Sequence, residues 1–426
     1  MNSPAQPEAL LRRMLQAVIN SASAETCVPP NLPDPPRGRT VVIGAGKASA
    51  AMALAFEQHW KGEFSGLVVT RYGHGAPCTR IEVVEAGHPV PDLAGVEAAR
   101  RIQSLVSGLS RDDLVVCLLS GGGSALLVDP APGIALEKKQ QLTQALLLSG
   151  ATISEINYVR KHLSRVKGGR LALAAAPARV VTLAISDVPG DAPALIASGP
   201  TVPDPSTRFE ALHVLTRYGI EPSPGVSGWL NDPACETPKA GFGERCVFKV
   251  VAAPAAALEA AATVARREGW DVLILGDAIE GETRIVASQH AAVVRRMAEQ
   301  RRRCIILSGG ETTVTVRGKG RGGRNSEFLL ALATELDGMA GVHALAADTD
   351  GIDGSEDNAG AVCGPGTLAA AKRSGVSAEA CLANNDAYGF FEAAGGLVLT
   401  GPTRTNVNDF RAIAVSADGS SAGAKP

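Results

Sequence analysis

Residues 304–328 read CIILSGGETTVTVRGKGRGGRNSEF. The apolar run 304–307 predicts a buried strand that stops at Ser308-Gly309-Gly310, with Glu311 after it. Residues 312–316, from Thr312, alternate as a second short strand would. Gly318, Gly320, Gly322 and Gly323 are then interleaved with Arg317, Lys319, Arg321 and Arg324, and Asn325-Ser326-Glu327 opens a helix. Glycines let a backbone approach a ligand closely, and a helix N-terminus behind them offers N–H groups to an anion. Four cations within residues 317–324 supply charge for several phosphate oxygens. A solvated hairpin tip is the alternative, but such a tip does not need four glycines.

Working outward, the same strand–turn–helix grammar recurs. TVVIGAG (40–46) feeds the helical run KASAAMALAFE (47–57). GLVVT (66–70), IEVVEAG (81–87), LVVCLLSGGG (114–123) and RVVTLAISD (179–187) read as further strands, with helices near 95–107, 135–149 and, as one long stretch, 153–174. Residues 7–25 carry Leu10, Leu11, Met14, Leu15, Val18 and Ile19 at helical spacing. Prolines and glycines concentrate in 221–245, and beyond them the pattern restarts with CVFKVVA, DVLILGD (271–277), VHALAADTDG (342–351) and LVLTG (397–401). The expectation is an α/β protein of two domains with mostly parallel sheets around a cleft: a Rossmann-like domain over 1–238 and a smaller one over 239–426. Whether 400–426 returns to the first domain is open from sequence.

At 426 residues the chain exceeds one ordinary core, in keeping with two domains. A formal net charge of −2 provides no basic field for nucleic acid, and 4% aromatic content is too little for a base-stacking platform. Eight cysteines without CxxC spacing, several inside apolar strands, suit a reducing compartment. No segment reaches transmembrane length, and MNSPAQPEALLRRM lacks a signal peptide's apolar core. A cytoplasmic protein with no membrane partner is expected. Monomer and homodimer both remain open.

Several constellations carry chemistry. Gly44-Ala45-Gly46-Lys47-Ala48-Ser49 follows a strand as a dinucleotide turn would, but Ser49 stands at the third glycine position and Thr70-Arg71 where an acid should end the next strand. It is not a Walker A loop either. Lys47 in a first helical turn is disfavoured by the helix dipole unless an anion binds there; an exposed lysine is the alternative. Ser120-Gly121-Gly122-Gly123-Ser124 ends an apolar strand and can wrap a phosphate with backbone N–H groups, or form a tight turn. Asn157, Arg160 and Lys161 open a strongly basic stretch that reads as an anion-facing wall or a solvated helix. Asp187, in SDVPGD, and Asp348 and Asp350, in DTDGIDG, end strands. Carboxylates beside phosphate loops suit Mg2+, which takes one or two of them plus phosphate oxygens, or could prepare a hydroxyl for attack; Asx turns are the alternative. No Ser/His/Asp arrangement stands out.

With these residues in hand, the chain resembles the class II glycerate kinases, the glycerate 2-kinase family that ends in a MOFRL domain. The matching segments are GAGKAS (44–49), SGGGSALL (120–127), NYVRKHLSRVKGGRLA (157–172), SDVPGD (186–191), SGPTVPDPS (198–206), SGGETTVTVRGKGRGGRNSEF (308–328), DTDGIDG (348–354) and TGPTRTNVNDF (400–410). They lie in order across nearly the whole chain. The resemblance implies phosphorylation of D-glycerate at its 2-hydroxyl by ATP, giving 2-phosphoglycerate and ADP. It places the family's essential lysine on Lys47 and its essential arginine on Arg324. Arg404 departs from the pattern, where glycine is expected.

Together these readings predict that Lys47 and Arg324, from different domains, pinch the γ-phosphoryl and the substrate carboxylate. Asn157, Arg160, Lys161 and Asn325 would face the substrate. Gly44, Gly46 and the 120–124 and 308–312 loops would cradle ATP. Asp187, Asp348 or Asp350 would hold Mg2+, and Asp187 or Asp350 would take part in catalysis. Two other readings stay open: an NAD(P)H-dependent hydroxypyruvate reductase using Arg71 for a 2′-phosphate, and a non-catalytic sensor of hydroxyacid or nucleotide.

Overall fold

Every residue of the strand Thr40–Ala45 (β1) is buried, as an unbroken apolar run requires of a strand covered on both faces. The computed structural model describes residues 7–240 and 242–416. Around β1 stand Phe64–Arg71 (β2), Ile81–Ala86 (β3), Leu114–Leu119 (β4), Arg179–Ile185 (β5) and Cys246–Ala252 (β6), in the spatial order β3-β2-β1-β4-β5-β6. β1 pairs parallel with β2 and β4, β2 with β3, and β4 with β5. The order reverses between β1 and β4, the position where open α/β sheets leave a crevice at the carboxyl ends of their strands. Val41, Ile43, Val115, Cys117, Leu67, Val69, Val180 and Ala184 supply the core on one side of this sheet, closed by Ala98, Ala99 and Ile102 of the helix Leu93–Val106.

The basic stretch expected as one helix over 153–174 is broken. Helices run Ile153–His162 and Arg170–Ala174, separated by Gly168 and Gly169 with φ of 57° and 83°. A side chain at either position would be strained. Within 221–245, expected as loop, Pro224–Asn231 is helical.

The other sheet contains Asp271–Gly276 (β7), Cys304–Gly310 (β9), Val342–Asp348 (β11), Gly360–Cys363 (β12), Leu397–Val398 (β13) and Asp409–Val415 (β14), ordered β13-β12-β11-β14-β9-β7. Gly281–Glu282 (β8) and Thr312–Thr313 (β10) pair separately, so the second strand expected over 312–316 is short. β7 and β9 run parallel, whereas β11 is antiparallel to β12 and β14, β12 to β13, and β14 to β9. The parallel expectation therefore applies to the first sheet, and the second is mixed. Strand direction follows from connections, and β11 reaches β12 without the long crossover a parallel pair needs. β14 keeps 409–415 inside this second sheet.

The chain divides into two compact units. Ala24–Val251 is one; the N-terminal helix joins the chain from Ala252 onward in the other. The division differs from 1–238 and 239–426 at both ends. Leu10, Leu11, Met14, Leu15, Val18 and Ile19 are the buried face of that helix, Pro7–Ser21, packed against Pro254–Arg267 and against β11 and β14. Burying each large aliphatic is worth ~1.5–3 kcal/mol, which fixes the helix to the half of the chain far from it in sequence. Thr405 Oγ1 donates to Ala22 O and ties down the helix exit.

Candidate active site

In the unit Ala24–Val251, the turns after β1 and β4 interlock. Gly46 has φ 144°, and Lys47 N donates to Gly121 O at 2.8 Å. Ala48 N donates to Ser120 Oγ at 2.9 Å, and Ser49 Oγ to Leu118 O at 3.0 Å. A Cβ on Gly44 would meet Leu118 O, and one on Gly46 would meet Ser120 Oγ. Gly44 and Gly46 thus serve a close approach of β1 to β4. The helix begins at Ser49 with Ala48 as its cap, so Lys47 lies just before the helix rather than in its first turn. Gly122, φ 81°, is flanked by Lys47 and His88: an added Cβ would lie 3.3 Å from Lys47 Cγ and 2.9 Å from the His88 ring. Lys47 and the triple-glycine turn do come together.

Behind this turn Ser124 Oγ is 2.8 Å from Ser198 Oγ, which donates to Asn157 Oδ1 at 3.0 Å. Ala197 and Ser198 hold φ of 51° and 61°, costly for residues with side chains. The strained turn lies against Gly123, where a Cβ would be 2.8 Å from Ala197 Cβ. Asn157 therefore braces the loop from within the fold. Lys161, expected to face substrate, is also internal: its ammonium is buried and donates to Asp204 Oδ1 at 3.1 Å. The break after His162 explains this, since the helix ends before a wall of cations can form along one face.

Arg160 reaches a cavity of ≈ 460 Å³, and Lys139 and Lys167 join it there with Gly122 and Ser124. Lys139 Nζ donates to Leu163 O at 2.8 Å; Lys167 Nζ donates to Ser124 O and Leu127 O at 2.8 and 2.9 Å. Burial pulls the Lys139 ammonium down to about 7, with the charge of Arg160 adding and Asp129 opposing. Burial lowers Lys167 well below the ordinary lysine range, reinforced by Lys139 and Arg160. The sequence held a signal for Lys139: in the helix Leu136–Leu148 it shares the buried face with Leu136, Leu142 and Leu146. Asp187 stands partly exposed two residues beyond β5.

In the other unit, Gly310, Asp409 and Asp348 lie in register on β9, β14 and β11. Arg324, the first residue of the helix Arg324–Leu336, reaches all three positions' neighbourhood. Its Nε donates to both oxygens of Asp409 at 2.9 and 3.0 Å, its Nη2 to Asp348 Oδ2 at 2.7 Å, and its Nη1 lies 3.0 Å from Glu311 Oε1. Burial disfavours the guanidinium charge, but Asp409, then Asp348 and Glu311, hold its pKa above the ordinary value. Arg411, fully buried, donates to Asp409 Oδ2 at 2.6 Å.

The helix N-terminus expected to receive phosphate already carries an anion. Asn325 N donates to Asp353 Oδ1 at 2.9 Å and Ser326 N to Asp353 Oδ2 at 2.8 Å. Burial raises the Asp353 carboxyl pKa despite these bonds. Asn325 Nδ2 donates to Asp409 Oδ1, so Asn325 is structural here, not substrate-facing. The glycine-rich loop is likewise satisfied internally. Arg317 N and Gly318 N donate to Asn385 Oδ1, Lys319 N to Asn384 Oδ1, Gly320 N to Asn384 O and Arg321 N to Asp386 Oδ1. Gly318 and Gly320 permit this approach; a Cβ on Gly320 would lie 2.6 Å from Asp386 Cα. Ser308 Oγ meets His290 Nε2 at 2.9 Å, and Thr312 Oγ1 accepts from Thr283 Oγ1 at 2.7 Å. Gly309 O accepts from Ile279 N at 3.0 Å, and Gly310, φ 112°, abuts Ile279. Residues 308–312 therefore pack on protein, and of them Glu311 is the one whose carboxylate stands exposed at Arg324.

Among the described residues, no group of three or more His, Cys, Asp or Glu is arranged to hold a metal ion. Asp348 does not fit Mg2+: Oδ2 takes Arg324 and Oδ1 takes Asp350 N at 3.0 Å. Asp350, nearly buried, accepts from Ile352 N at 3.0 Å and so closes its own turn. Of the three carboxylates, Asp187 is the one that stands partly exposed.

Residues 10–231 match DUF4147, a domain of unknown function, and residues 304–409 match the MOFRL family. A protein of Agrobacterium vitis provisionally named hydroxypyruvate reductase is 52% identical, covering 95% of this chain and 94% of its own. The D-glycerate 2-kinase of Thermotoga maritima is 40% identical, covering 95% of this chain and 98% of its own. A crystal structure of glycerate kinase from Thermotoga maritima superposes with a TM-score of 0.87 at 39% identity, covering 96% of this chain and 100% of that one. The chain belongs to the glycerate 2-kinase family, with a MOFRL domain as its C-terminal part.

Proposed function

We propose that the chain transfers the γ-phosphoryl group of ATP to the 2-hydroxyl of D-glycerate, giving 2-phosphoglycerate and ADP. The observation that carries this reading is Lys47 against the Ser120–Ser124 turn at the β1/β4 switch point, in a chain 40% identical to a D-glycerate 2-kinase. Phosphoryl transfer is chiefly positioning plus neutralisation of charge on the transferred group. Lys47 supplies a cation beside backbone amides that can wrap a phosphate. Arg324 is the second cation this reading assigns to the reaction. Its Nε and Nη2 are fixed by Asp409 and Asp348, whereas its Nη1 partner, Glu311, is 59% exposed. Glu311 is the most exposed of the three carboxylates on Arg324, so it is the one an anionic substrate can replace. The 2-hydroxyl oxygen bonds to phosphorus as the bond to the ADP oxygen breaks, and the hydroxyl proton passes to a carboxylate, the role expected of Asp187 or Asp350. Asp187 would hold Mg2+, which when bound neutralises charge on the phosphate oxygens.

The test is ADP release on adding D-glycerate, measured for the wild type and for Lys47→Ala and Arg324→Ala. Each substitution should cut kcat by about 10²-fold or more, as loss of a transition-state contact does. Near-wild-type turnover in either variant removes that residue from the mechanism.

The relatives provisionally named hydroxypyruvate reductase favour a second reading. Against it, Ser49 is buried at the third glycine position and binds Leu118 O, and Thr70, at the end of β2, donates to Lys47 O. No acidic residue stands there to receive a ribose. Oxidation of NADPH on adding hydroxypyruvate would support it.

A further inference from the structure

Arg324 is the first residue of its helix, so the place of its side chain is set by how that helix starts. The first N–H groups of a helix need acceptors, usually met by a serine, threonine, aspartate or asparagine at the cap. Here the cap is Gly323, which brings no side chain. The acceptor is Asp353, 28 residues beyond Asn325. Its Oδ1 takes Asn325 N at 2.9 Å, and its Oδ2 takes Ser326 N at 2.8 Å and Ser326 Oγ at 2.6 Å. Glycine is obligatory at 323, because a Cβ there would collide with the backbone and carboxyl group of Asp353. Gly354, φ 82°, lets the loop come this near; a Cβ on it would lie 2.8 Å from Gly322 O. Asn358 closes the circuit. Its carbonyl oxygen accepts from Asp353 N at 2.7 Å, and its Nδ2 donates to Ser326 Oγ at 3.0 Å.

Such a long-range cap is more costly than a local one. Asp353 is 1% exposed, and burying a carboxylate costs free energy even when it is bonded. Burial pushes its pKa up against the bonds from Ser326 and Asn325, with the charge of Asp409 adding to the rise. What the long-range cap achieves, and a local one would not, is a tie between two segments. The loop carrying Asp353 also carries Asp350 and follows directly from Asp348, whose Oδ2 takes Arg324 Nη2 at 2.7 Å. One loop therefore grips Arg324 twice, on the main chain beside it and at its guanidinium.

We infer that Asp353 is a positioning residue for phosphoryl transfer, fixing the start of the helix so that Arg324 keeps its place beside Asp348 and Asp350. The inference rests on the kinase reading for the role of Arg324, and it adds an enclosed residue that acts through that arginine. Its weight comes from geometry: misplacing a reacting group by about 1 Å can lower a rate ~10²-fold.

The experiment is a double-mutant cycle on the full chain with ATP, Mg2+ and D-glycerate. It compares Asp353→Asn, Ser326→Ala and Arg324→Ala with each of the first two combined with the third. Asp353→Asn puts an amide nitrogen against a backbone N–H and should lower kcat/KM for D-glycerate about tenfold or more. Ser326→Ala leaves both backbone bonds to Asp353 in place and should lower it about threefold, the loss of one hydrogen bond. In the Arg324→Ala background, neither should lower it further by more than about twofold. A purely structural role lowers kcat/KM by the same factor in both backgrounds, and that result overturns the inference, as does unchanged turnover in both single variants. Circular dichroism checks folding, and Ser326→Ala carries the test if Asp353→Asn does not fold. A second readout needs no turnover: the 15N–1H signal of Arg324 Nε, which donates to Asp409, should be present in the wild type and lost to solvent exchange in the variants. If the wild type phosphorylates no glycerate, the kinase reading falls and this signal decides whether Asp353 holds Arg324. Its loss supports the inference, and an unchanged signal overturns it.

Discussion

Arg324 Nε sits between the two carboxylate oxygens of Asp409, 2.9 Å from one and 3.0 Å from the other, while Arg411 Nη2 takes Asp409 Oδ2 at 2.6 Å. One fully buried carboxylate thus serves two guanidinium groups, and Arg411 is itself wholly enclosed. Breaking a buried pair by removing one partner costs ~3–5 kcal/mol, because the other charge is stranded. Asp409→Asn should therefore lower the unfolding free energy by about that amount. Asp409→Asn combined with Arg411→Met should recover part of the loss, as coupled neighbours do. Denaturant melts of the two singles and the double check this.

The glycines of 317–321 are predicted to matter for stability more than for ligand affinity. Gly320→Ala forces a methyl group against Asp386, and Gly318→Ala forces one against the Asn384 backbone. Overpacking of this kind costs ~1–3 kcal/mol. Thermal unfolding should shift down in both, whereas KM for ATP should stay near the wild-type value.

Lys139 sets a pH dependence. Its folded pKa near 7 lies below its ordinary lysine value, so the unfolded chain binds the extra proton between about 7 and ~10.4. Its contribution to stability is therefore present above the unfolded pKa and is lost as pH falls through about 7. Denaturant melts from pH 6 to 8.5 should show stability rising with pH in the wild type and less so in Lys139→Gln.

Arg404 holds φ 59° in the segment TGPTRTNVNDF, and it is exposed. A left-handed residue with a side chain costs ~1–2 kcal/mol, offset in part by the entropy a glycine loses. Arg404→Gly should leave stability unchanged or raise it by up to about 1 kcal/mol, read as a higher Tm.

Much of this architecture could be read from the residues. The all-apolar runs of β1 and β4, each closed by glycines, announced a buried parallel sheet with a crevice at its switch point. Lys47 beside Gly122 followed from the same pattern. The glycine-rich loop misled for a physical reason: a bare α-carbon permits close approach of any partner, and here Asn384, Asn385 and Asp386 come as near as a phosphate would. The anion at the helix N-terminus was foreseen in kind, but Asp353, 28 residues from Asn325 in sequence, fills that place. Lys161 and Arg160 are adjacent in the chain and part ways only in three dimensions, one turned to Asp204 and the other to the cavity. Antiparallel pairing in the second sheet depends on how its strands are connected, which apolar patterning does not encode.

The most direct measurement of the central claim is 31P NMR of the products formed by the full chain with ATP, Mg2+ and D-glycerate. The account predicts stoichiometric ADP and a phosphomonoester on the 2-hydroxyl carbon, coupled to its single proton. An absence of any phosphoester, together with NADPH consumption on hydroxypyruvate, would contradict it.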